Sequence, residues 1–182
     1  ILAATPAAAT NFDDCTQTLD LQRTLEACTA LVHAPETSTD QKAAALVNLG
    51  NAYDTIGETE AARTSYTRAL TLDPSYVNAF YNRGALYLQM GEAALAIADF
   101  SAAIALEPAH MPSFHNRGLA ELKAGHIDRA IADLSVAIGL EPTAQAFNNR
   151  GVAHKTAGND AASIRDFTEA IRLKNETAYA GR

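Results

Sequence analysis

Residues 48–57 read NLGNAYDTIG, residues 82–91 read NRGALYLQMG, residues 116–125 read NRGLAELKAG and residues 149–158 read NRGVAHKTAG. These segments recur at intervals of 34, 34 and 33 residues. Self-similarity at such a period is typical of arrays of helical hairpins. Because one hairpin cannot bury its apolar face alone, the period predicts a stack of hairpins.

Glycine and proline mark the ends of the helices within each repeat. Each quoted segment ends on a glycine, which favours the left-handed backbone that closes many helices. A proline follows the second helix of the first three repeats and prevents its continuation. These prolines are Pro74, Pro108 and Pro142. The pattern predicts two α-helices of about a dozen residues in each repeat, and no strands.

The recurring residues resemble the tetratricopeptide repeat family. Related residues stand at the same places in each repeat, and in repeat two they are Phe80, Gly84, Tyr87, Ala96 and Ala103. The resemblance covers residues 43–175 and implies an all-α fold, a right-handed α-solenoid of stacked antiparallel helix pairs. The repeats then span residues 43–76, 77–110, 111–143 and 144–176, followed by a C-terminal tail at 177–182.

The two cysteines lie in a segment that precedes the first full repeat. Residues 11–40 can be set in the register of repeat two, and Cys15 then aligns with Tyr87. Cys28 aligns with Phe100, and these two aromatic positions face each other inside a hairpin. The register predicts a degenerate helical hairpin over 11–40, held by a disulfide that stabilises it by about 3 kcal/mol. The alternative is a pair of buried thiols, since free cysteine packs well as a small apolar side chain.

The opening residues 1–10 are rich in alanine and contain no methionine. Such a start is typical of an exported protein after removal of its signal peptide, although an arbitrary sequence boundary gives the same pattern. Disulfides persist in oxidising compartments, and the chain resembles exported bacterial members of the family that begin with a cysteine-bearing hairpin. We therefore expect a flexible segment over residues 1–10 and a periplasmic or secreted protein.

Arginine and aspartate occur together in three of the four repeats. Repeat one carries Leu49 and Ser65 in their places. The recurring residues are Arg83 with Asp99, Arg117 with Asp133, and Arg150 with Asp166. Because both are absent together from repeat one, we expect ion pairs between the two helices of a hairpin or across neighbouring repeats. The alternative is that both are solvated surface charges.

Asparagine occupies the same place in all four repeats. In the tetratricopeptide family this place lies on the concave face formed by the first helices, and an asparagine amide both donates and accepts hydrogen bonds. The resemblance therefore implies a row that contacts the backbone of an extended peptide, made of Asn48, Asn82, Asn116 and Asn149. The alternative is that these amides cap helices or bond to one another between repeats.

Further side chains are expected on the same face. The middle of this face carries Tyr81, Leu88, Leu119 and Leu122, and an apolar patch with a polar rim is typical of an interaction site. The alternative is that some of these leucines pack against neighbouring helices. The additional predicted binding residues are Asn51, Tyr81, Leu88, His115, Leu119, Leu122, Lys123 and Lys155. Val47, Pro112 and Asn116 stand where members that bind chaperone tails carry basic residues. We therefore predict that the chain does not bind such a tail.

Composition and motif content argue against several other functions. The formal charge is −7, with 14 Lys plus Arg, which argues against a nucleic-acid partner. No apolar run reaches the roughly 18 residues of a membrane span. The five histidines show no metal-ligand spacing, and Glu121 and His154 could form a structural pair. We predict no catalytic residue, no metal, no cofactor and no enzymatic activity.

Two functions are compatible with these features. The first is a non-enzymatic module that binds an extended peptide or partner segment in the concave groove, through the asparagine row and the central apolar patch. The alternative is a scaffold that self-assembles through its ends. The last predicted helix, near residues 160–173, carries Ile164, Phe167 and Ile171 and lacks a polar cap. The expected partner is a protein or peptide, and a homo-oligomer follows from the alternative.

Overall fold

The described part of the chain consists of helices and turns. The computed structural model describes residues 12–16 and 20–180, with side chains up to residue 175, and shows no strand among them. In chain order the helices are α1 (Phe12–Thr16), α2 (Leu21–His33), α3 (Thr39–Thr55), α4 (Thr59–Leu72), α5 (Val77–Gln89), α6 (Ala93–Leu106), α7 (Met111–Lys123), α8 (Ile127–Leu140), α9 (Ala144–Thr156) and α10 (Asp160–Ala180). The predicted all-α class is confirmed. The flexible segment predicted for residues 1–10 lies outside the described residues.

The first of two compact units ends at Leu86, and the second begins at Tyr87. In the first unit α1 packs on α2, α2 packs on α3, and α3 packs on α4. The buried side chains of Leu46, Tyr66 and Leu86 belong to one apolar cluster in this unit. The short cysteine-bearing helices therefore share a core with the first full hairpin.

In the second unit each helix from α6 to α10 packs against the next helix in the chain. Phe100 and Leu134 are fully buried and occupy the same place in their hairpins. Alanines at positions such as Ala130 and Ala137 are also fully buried. Small side chains at helix contacts allow the helix axes to approach closely, so the recurring alanines explain the tight hairpins.

Every full hairpin turns in the same way, through the glycines that the sequence marks as helix ends. Their φ angles are positive, between 76° and 81°, at Gly57, Gly91, Gly125 and Gly158. In the first turn the amide of Glu58 donates to the carbonyl of Tyr53 at 2.9 Å, and the equivalent bond recurs in the other three turns. This bond closes a Schellman cap, which needs a left-handed residue before its last amide.

Two helix boundaries differ from those that the repeats predict. Helix α3 begins at Thr39 rather than near residue 43, because Ser38 and Gln41 form a reciprocal capping box. Helix α10 continues to Ala180, so it includes the first residues of the predicted tail. The earlier second helices end just before a proline, whereas Asn175 stands at that place in the last repeat. Nothing in the sequence therefore stops α10 near residue 173.

Candidate functional site

The cysteine hairpin, formed by α1 and α2, packs on the first helix of repeat one. Cys15 and Cys28 form the predicted disulfide, with their Cα atoms 4.7 Å apart, and both are buried. Asp14 on α1 and Arg23 on α2 form an ion pair at 3.0 Å. The Nδ2 atom of Asn48 lies 4.0 Å from the sulfur of Cys15. The first asparagine of the predicted row therefore contacts the cysteine hairpin.

Two asparagine side chains in the first unit orient each other. Asn82 donates from Nδ2 to Oδ1 of Asn51 at 2.8 Å, and the Tyr66 hydroxyl donates to the same oxygen at 2.8 Å. Burial and the Asp54 carboxylate raise the pKa of Tyr66, which keeps its hydroxyl a donor. Because Oδ1 of Asn51 already accepts twice, its Nδ2 is the atom left to donate. Oδ1 of Asn82 has no partner among the described residues.

A small pocket opens beside these amides in the first unit. Its volume is about 140 Å³. Its lining consists of Cys15, Thr16, Leu21, Thr24, Asn48, Asn51, Ala52 and Thr55. The hydroxyls of Thr16, Thr24 and Thr55 each donate to a backbone carbonyl nearby in the chain. A hydroxyl oxygen that donates can also accept a hydrogen bond, and none of the described lining side chains is ionised, so the pocket suits a small neutral group.

In the second unit the asparagine row meets a buried histidine. Nδ2 of Asn149 lies 2.9 Å from Nε2 of His115, which is 8% exposed. Burial lowers the pKa of His115, so its ring is neutral at neutral pH and Nε2 accepts from the amide. Bonding within the protein therefore engages both Asn82 and Asn149. Contact of the row with a peptide stays a prediction.

The other predicted binding residues of the second unit differ in their exposure. Nζ of Lys123 donates to the carbonyl of Leu88 at 3.1 Å. Lys123 and Lys155 are exposed, whereas Asn116 and the leucines are half-buried. These leucines are Leu88, Leu119 and Leu122. Each leucine thus packs partly against the protein and leaves part of its side chain on the surface. Tyr81, in the first unit, is half-buried as well.

Arg117 is held on three sides by charged, polar and aromatic groups. Its Nε and Nη2 atoms donate to the two carboxylate oxygens of Asp133 at 2.7 and 2.8 Å. Its Nη1 atom donates to the hydroxyl of Ser101 at 3.0 Å, and the guanidinium lies 5.5 Å from the ring centre of Phe114. The hydrogen bond to Asp133 raises the pKa of Arg117. Because Ser101 belongs to the preceding hairpin, one arginine joins two hairpins. We call this arrangement the arginine clamp.

The arginine clamp recurs at Arg150. Its guanidinium donates to both oxygens of Asp166 at 2.8 Å and to the hydroxyl of Ser135 at 3.0 Å. The ring centre of Phe147 lies 5.6 Å away. Both pairs follow the spacing in the sequence, and both link the two helices of one hairpin. The hydroxyl of the preceding hairpin adds the contact across repeats.

Arg83 makes the corresponding hydroxyl and aromatic contacts in the first unit. It donates to Thr67 at 3.1 Å and lies 5.9 Å from the ring centre of Phe80. Asp99 is buried, and its pairing with Arg83 stays a prediction. The clamp hydroxyls are not among the residues predicted from the sequence, although their period is visible there. Thr67, Ser101, Ser135 and Thr168 occupy one place in the four repeats.

Repeat one lacks the arginine clamp, and a cavity occupies that region of the first unit. Leu49 and Ser65, which replace the arginine and the aspartate, line a cavity of about 400 Å³ between α2, α3 and α4. Thr29, at the place of the clamp hydroxyl, lines it too. The hydroxyl of Ser65 donates to the carbonyl of Ala61 at 2.8 Å instead of meeting an arginine.

Glu121 pairs with a different histidine from the one that the sequence suggests. Its Oε2 atom lies 2.6 Å from Nδ1 of His126, whereas Nε2 of His154 lies 4.0 Å from the Asp166 carboxylate. The Schellman turn explains this pairing, because the amide of His126 donates to the carbonyl of Glu121 and brings the two residues together. The predicted pairing of Glu121 with His154 is therefore replaced by a local one.

The described residues were also compared with the requirements of a metal site and of a membrane-spanning helix. No group of three or more His, Cys, Asp or Glu side chains among them could hold a metal ion. None of their helices is long and apolar enough to cross a membrane.

Hairpins with one recurring turn, joined by recurring side-chain clamps, define a helical repeat protein. A TPR repeat profile matches residues 50–91, and tetratricopeptide repeat profiles match residues 77–110 and 115–177. Together these matches cover more than half of the chain. The chain belongs to the tetratricopeptide repeat family, as its pattern predicts.

Solved structures share this fold. A crystal structure of MamA matches with a TM-score of 0.79 at 24% identity, over 88% of this chain and 92% of that chain. MamA 41-end from Desulfovibrio magneticus RS-1 matches with a TM-score of 0.80 at 20% identity, over 91% and 92%. The first TPR of Spaghetti (RPAP3), bound to the HSP90 peptide SRMEEVD, matches with a TM-score of 0.64 at 27% identity, over 65% and 95%. No curated protein sequence matches the chain.

Proposed function

We propose that the chain is a non-enzymatic protein-interaction module whose first helices bind an extended segment of a partner protein. Membership of the tetratricopeptide repeat family supports this class of function. A solved relative, the first TPR of RPAP3, is bound to a peptide.

The observation that carries the proposal is the orientation of Asn51 and Asn82 by each other. Each peptide unit has one N–H donor and one C=O acceptor that both need partners. The Asn51 amide offers a donor, and the Asn82 carbonyl offers an acceptor, next to each other in the first unit. This pair matches the two groups of a peptide unit irrespective of the side chain that the unit carries. Fixed orientation also lowers the entropy cost of binding.

Side-chain contacts would add affinity and selectivity in each unit. In the first unit the 140 Å³ pocket beside Asn48 and Asn51 has room for a small neutral side chain of the bound segment. In the second unit the half-buried Leu88, Leu119 and Leu122 offer apolar contacts. We therefore infer that the first unit prefers small polar residues in a bound extended segment, and that the second unit prefers apolar ones.

Peptide selection followed by mutagenesis tests the proposal. A displayed random peptide library is selected on the full chain, and the affinity of the best peptide is measured by calorimetry. We expect the Asn82→Ala/Asn116→Ala double variant to bind at least about tenfold more weakly, because two hydrogen-bonding amides are lost. The exposed turn residue Asn159 supplies the control, and Asn159→Ala should bind as well as the wild type.

Two outcomes would reject this function. One is a library selection that yields no binding peptide. The other is a double variant that still folds, as shown by its circular dichroism, and binds the peptide with unchanged affinity.

The proposal excludes the chaperone-tail mode of binding. Val47 is buried and uncharged, and Asn116 is half-buried and uncharged, so neither supplies the basic group that grips a terminal carboxylate. We expect no measurable binding of the peptide SRMEEVD to this chain in the same calorimetric assay.

Self-assembly is the second candidate function, and the exposure of two isoleucines on α10 favours it. Ile164 is 65% exposed and Ile171 is 62% exposed, although large apolar side chains usually cover one another in stable proteins. Sedimentation velocity over a hundredfold range of concentration separates the candidates. A monomer throughout that range rejects self-assembly, whereas a concentration-dependent oligomer supports it.

We also propose that the protein works in an oxidising compartment, the periplasm or the exterior of a bacterial cell. The disulfide between Cys15 and Cys28 supports this location, because reducing compartments keep such thiols free. Thiol titration of protein from its natural source, denatured without reductant, provides the test. Two reactive thiols per chain would contradict the proposed location.

A further inference from the structure

An open groove lies between the two helices of the last hairpin. Its volume is about 530 Å³. Its lining consists of Ala144, Gln145, Asn148, Phe167, Ala170, Ile171 and Lys174. We call it the C-terminal groove. Ile171 is 62% exposed there, whereas its counterpart one repeat earlier, Ile138, is half-buried.

In repeat three, the surface that corresponds to the C-terminal groove is covered by a helix, which indicates the kind of element that fits into the groove. Helix α9 packs against both α7 and α8, and Leu134 and Ala137 are fully buried at that contact region. These residues are the counterparts of Phe167 and Ala170 in the C-terminal groove. The covering element is thus a first helix, and it carries the arginine clamp.

Thr168 presents a hydrogen-bond acceptor beside the C-terminal groove. Each clamp hydroxyl donates its proton to a carbonyl of its own helix, as Ser135 does to Ile131 at 2.6 Å, and so turns its lone pairs to an incoming arginine. Thr168 makes the same bond, to the carbonyl of Ile164 at 2.7 Å. Thr168 is exposed, and no arginine among the described residues donates to it.

We propose that the C-terminal groove binds a helix of another protein in which an aromatic residue precedes an arginine by three positions. The arginine donates to Thr168 while it stacks on its own aromatic residue, as Arg150 does on Phe147. The apolar side of the helix covers Phe167 and Ile171. This surface lies on the last hairpin and does not involve the paired amides of Asn51 and Asn82.

Among the helices whose side chains are described, a second copy of the chain offers no free helix of this kind. Three of the helices with described side chains have this spacing, and they already use it internally, through Phe80 with Arg83, Phe114 with Arg117, and Phe147 with Arg150. In the register of the cysteine hairpin, the corresponding places hold Ala8 and Asn11. For this reason the occupant that we propose is a helix of a different protein.

A constrained helical peptide tests this proposal on the full chain. The probe has the sequence of α5, VNAFYNRGALYLQ, because α5 meets a threonine at the clamp position, Thr67, in its own hairpin array. Fluorescence anisotropy of the labelled probe measures its affinity. We expect replacement of the probe's arginine by alanine to weaken binding about tenfold, since a hydrogen bond to a charged group is lost.

Substitutions in the chain test whether the probe binds in the C-terminal groove. Thr168→Val should weaken binding about fivefold or more, and Ile171→Asp should abolish it. Ile164→Asp is the matched control, because Ile164 is equally exposed on the same helix but does not line the groove, so it should leave the affinity unchanged.

Three results would overturn the proposal. The first is no binding of the probe, and the second is an equal loss in Ile164→Asp and Ile171→Asp. The third is a dimer in sedimentation velocity that Ile171→Asp dissociates, because the occupant would then be a second copy. The Asn82→Ala/Asn116→Ala variant should bind the probe normally, which keeps this test separate from the peptide-selection test.

Discussion

Arg117 illustrates, at the scale of single residues, how a charged side chain can hold a stack of hairpins together. Arg117→Met leaves the Asp133 carboxylate, whose side chain is 11% exposed, without its counter-charge. We expect the free energy of unfolding to fall by about 2–3 kcal/mol in urea denaturation, because an unpaired buried charge is costly. Arg129→Met, an exposed arginine on α8, should change stability by less than about 0.5 kcal/mol. Equal effects of the two substitutions would indicate solvated charges.

His115 predicts a pH dependence of stability. Burial lowers its pKa below the ordinary value, so the unfolded chain binds the proton more readily than the folded protein does. Stability is therefore fully present above pH ~6.5 and falls as the pH drops below that value. We expect His115→Gln to lose part of this acid sensitivity in urea denaturation between pH 7 and pH 5. Parallel pH profiles for the variant and the wild type would contradict the neutral, buried ring.

The amides show where residue-level prediction from sequence stops. The period places Asn82 and Asn149 on first helices, and the structure shows them bonded to Asn51 and His115. An asparagine side chain both donates and accepts, so its recurrence alone does not distinguish a peptide contact from a contact within the protein. The Arg117–Asp133 pair is easier to predict, because repeat one lacks both opposite charges and carries Leu49 and Ser65 in their places.

At the scale of helices, some helical glycines lie at a close contact with the facing helix, whereas others lie where a side chain would have room. A Cβ atom on Gly118 would lie 2.8 Å from Cγ of Leu134 and 3.3 Å from the carbonyl of Ala130 on the facing helix. We expect Gly118→Ala to lower stability by about 1–3 kcal/mol through overpacking. A Cβ atom on Gly139 would meet nothing within 4 Å, so Gly139→Ala should raise stability by about 0.5–1 kcal/mol. Thermal denaturation of both variants measures the two changes in stability. If both substitutions raised or both lowered the stability, this prediction would be wrong.

Helix ends were predictable where a backbone requirement selects the residue. Gly57 and its counterparts mark the turns because a left-handed position favours glycine, and the prolines mark the ends of three second helices. Helix α10 extends beyond its predicted end because Asn175, unlike the prolines of the earlier repeats, does not interrupt a helix. The Glu121–His126 pair depends on the three-dimensional path of one turn, which the period does not describe.

At the scale of the whole molecule, the devices that join hairpins are distributed unevenly along the chain. The later hairpins carry arginine clamps, whereas repeat one has Leu49, Ser65 and a cavity in that place. Helix α1 has five residues, too few to be stable without tertiary support. The disulfide between Cys15 and Cys28 joins α1 to α2 within the cysteine hairpin and so supplies support for this short helix. In a repeat protein stability is a sum over neighbouring units, so loss of one device should act locally.

Reduction of the disulfide tests this division. The cross-link closes 13 residues and should contribute about 3 kcal/mol, so its loss should expose the amides of α2 to exchange while those of α7 and α8 stay protected. Hydrogen exchange followed by mass spectrometry, with and without reductant, measures both regions in one sample. The Cys15→Ser/Cys28→Ser variant should show the exchange pattern of the reduced protein without any reductant, and added reductant should not change that pattern. If α2 and α8 lost protection together on reduction, the array would unfold as one cooperative unit, and the disulfide would stabilise the whole stack instead of its first hairpin.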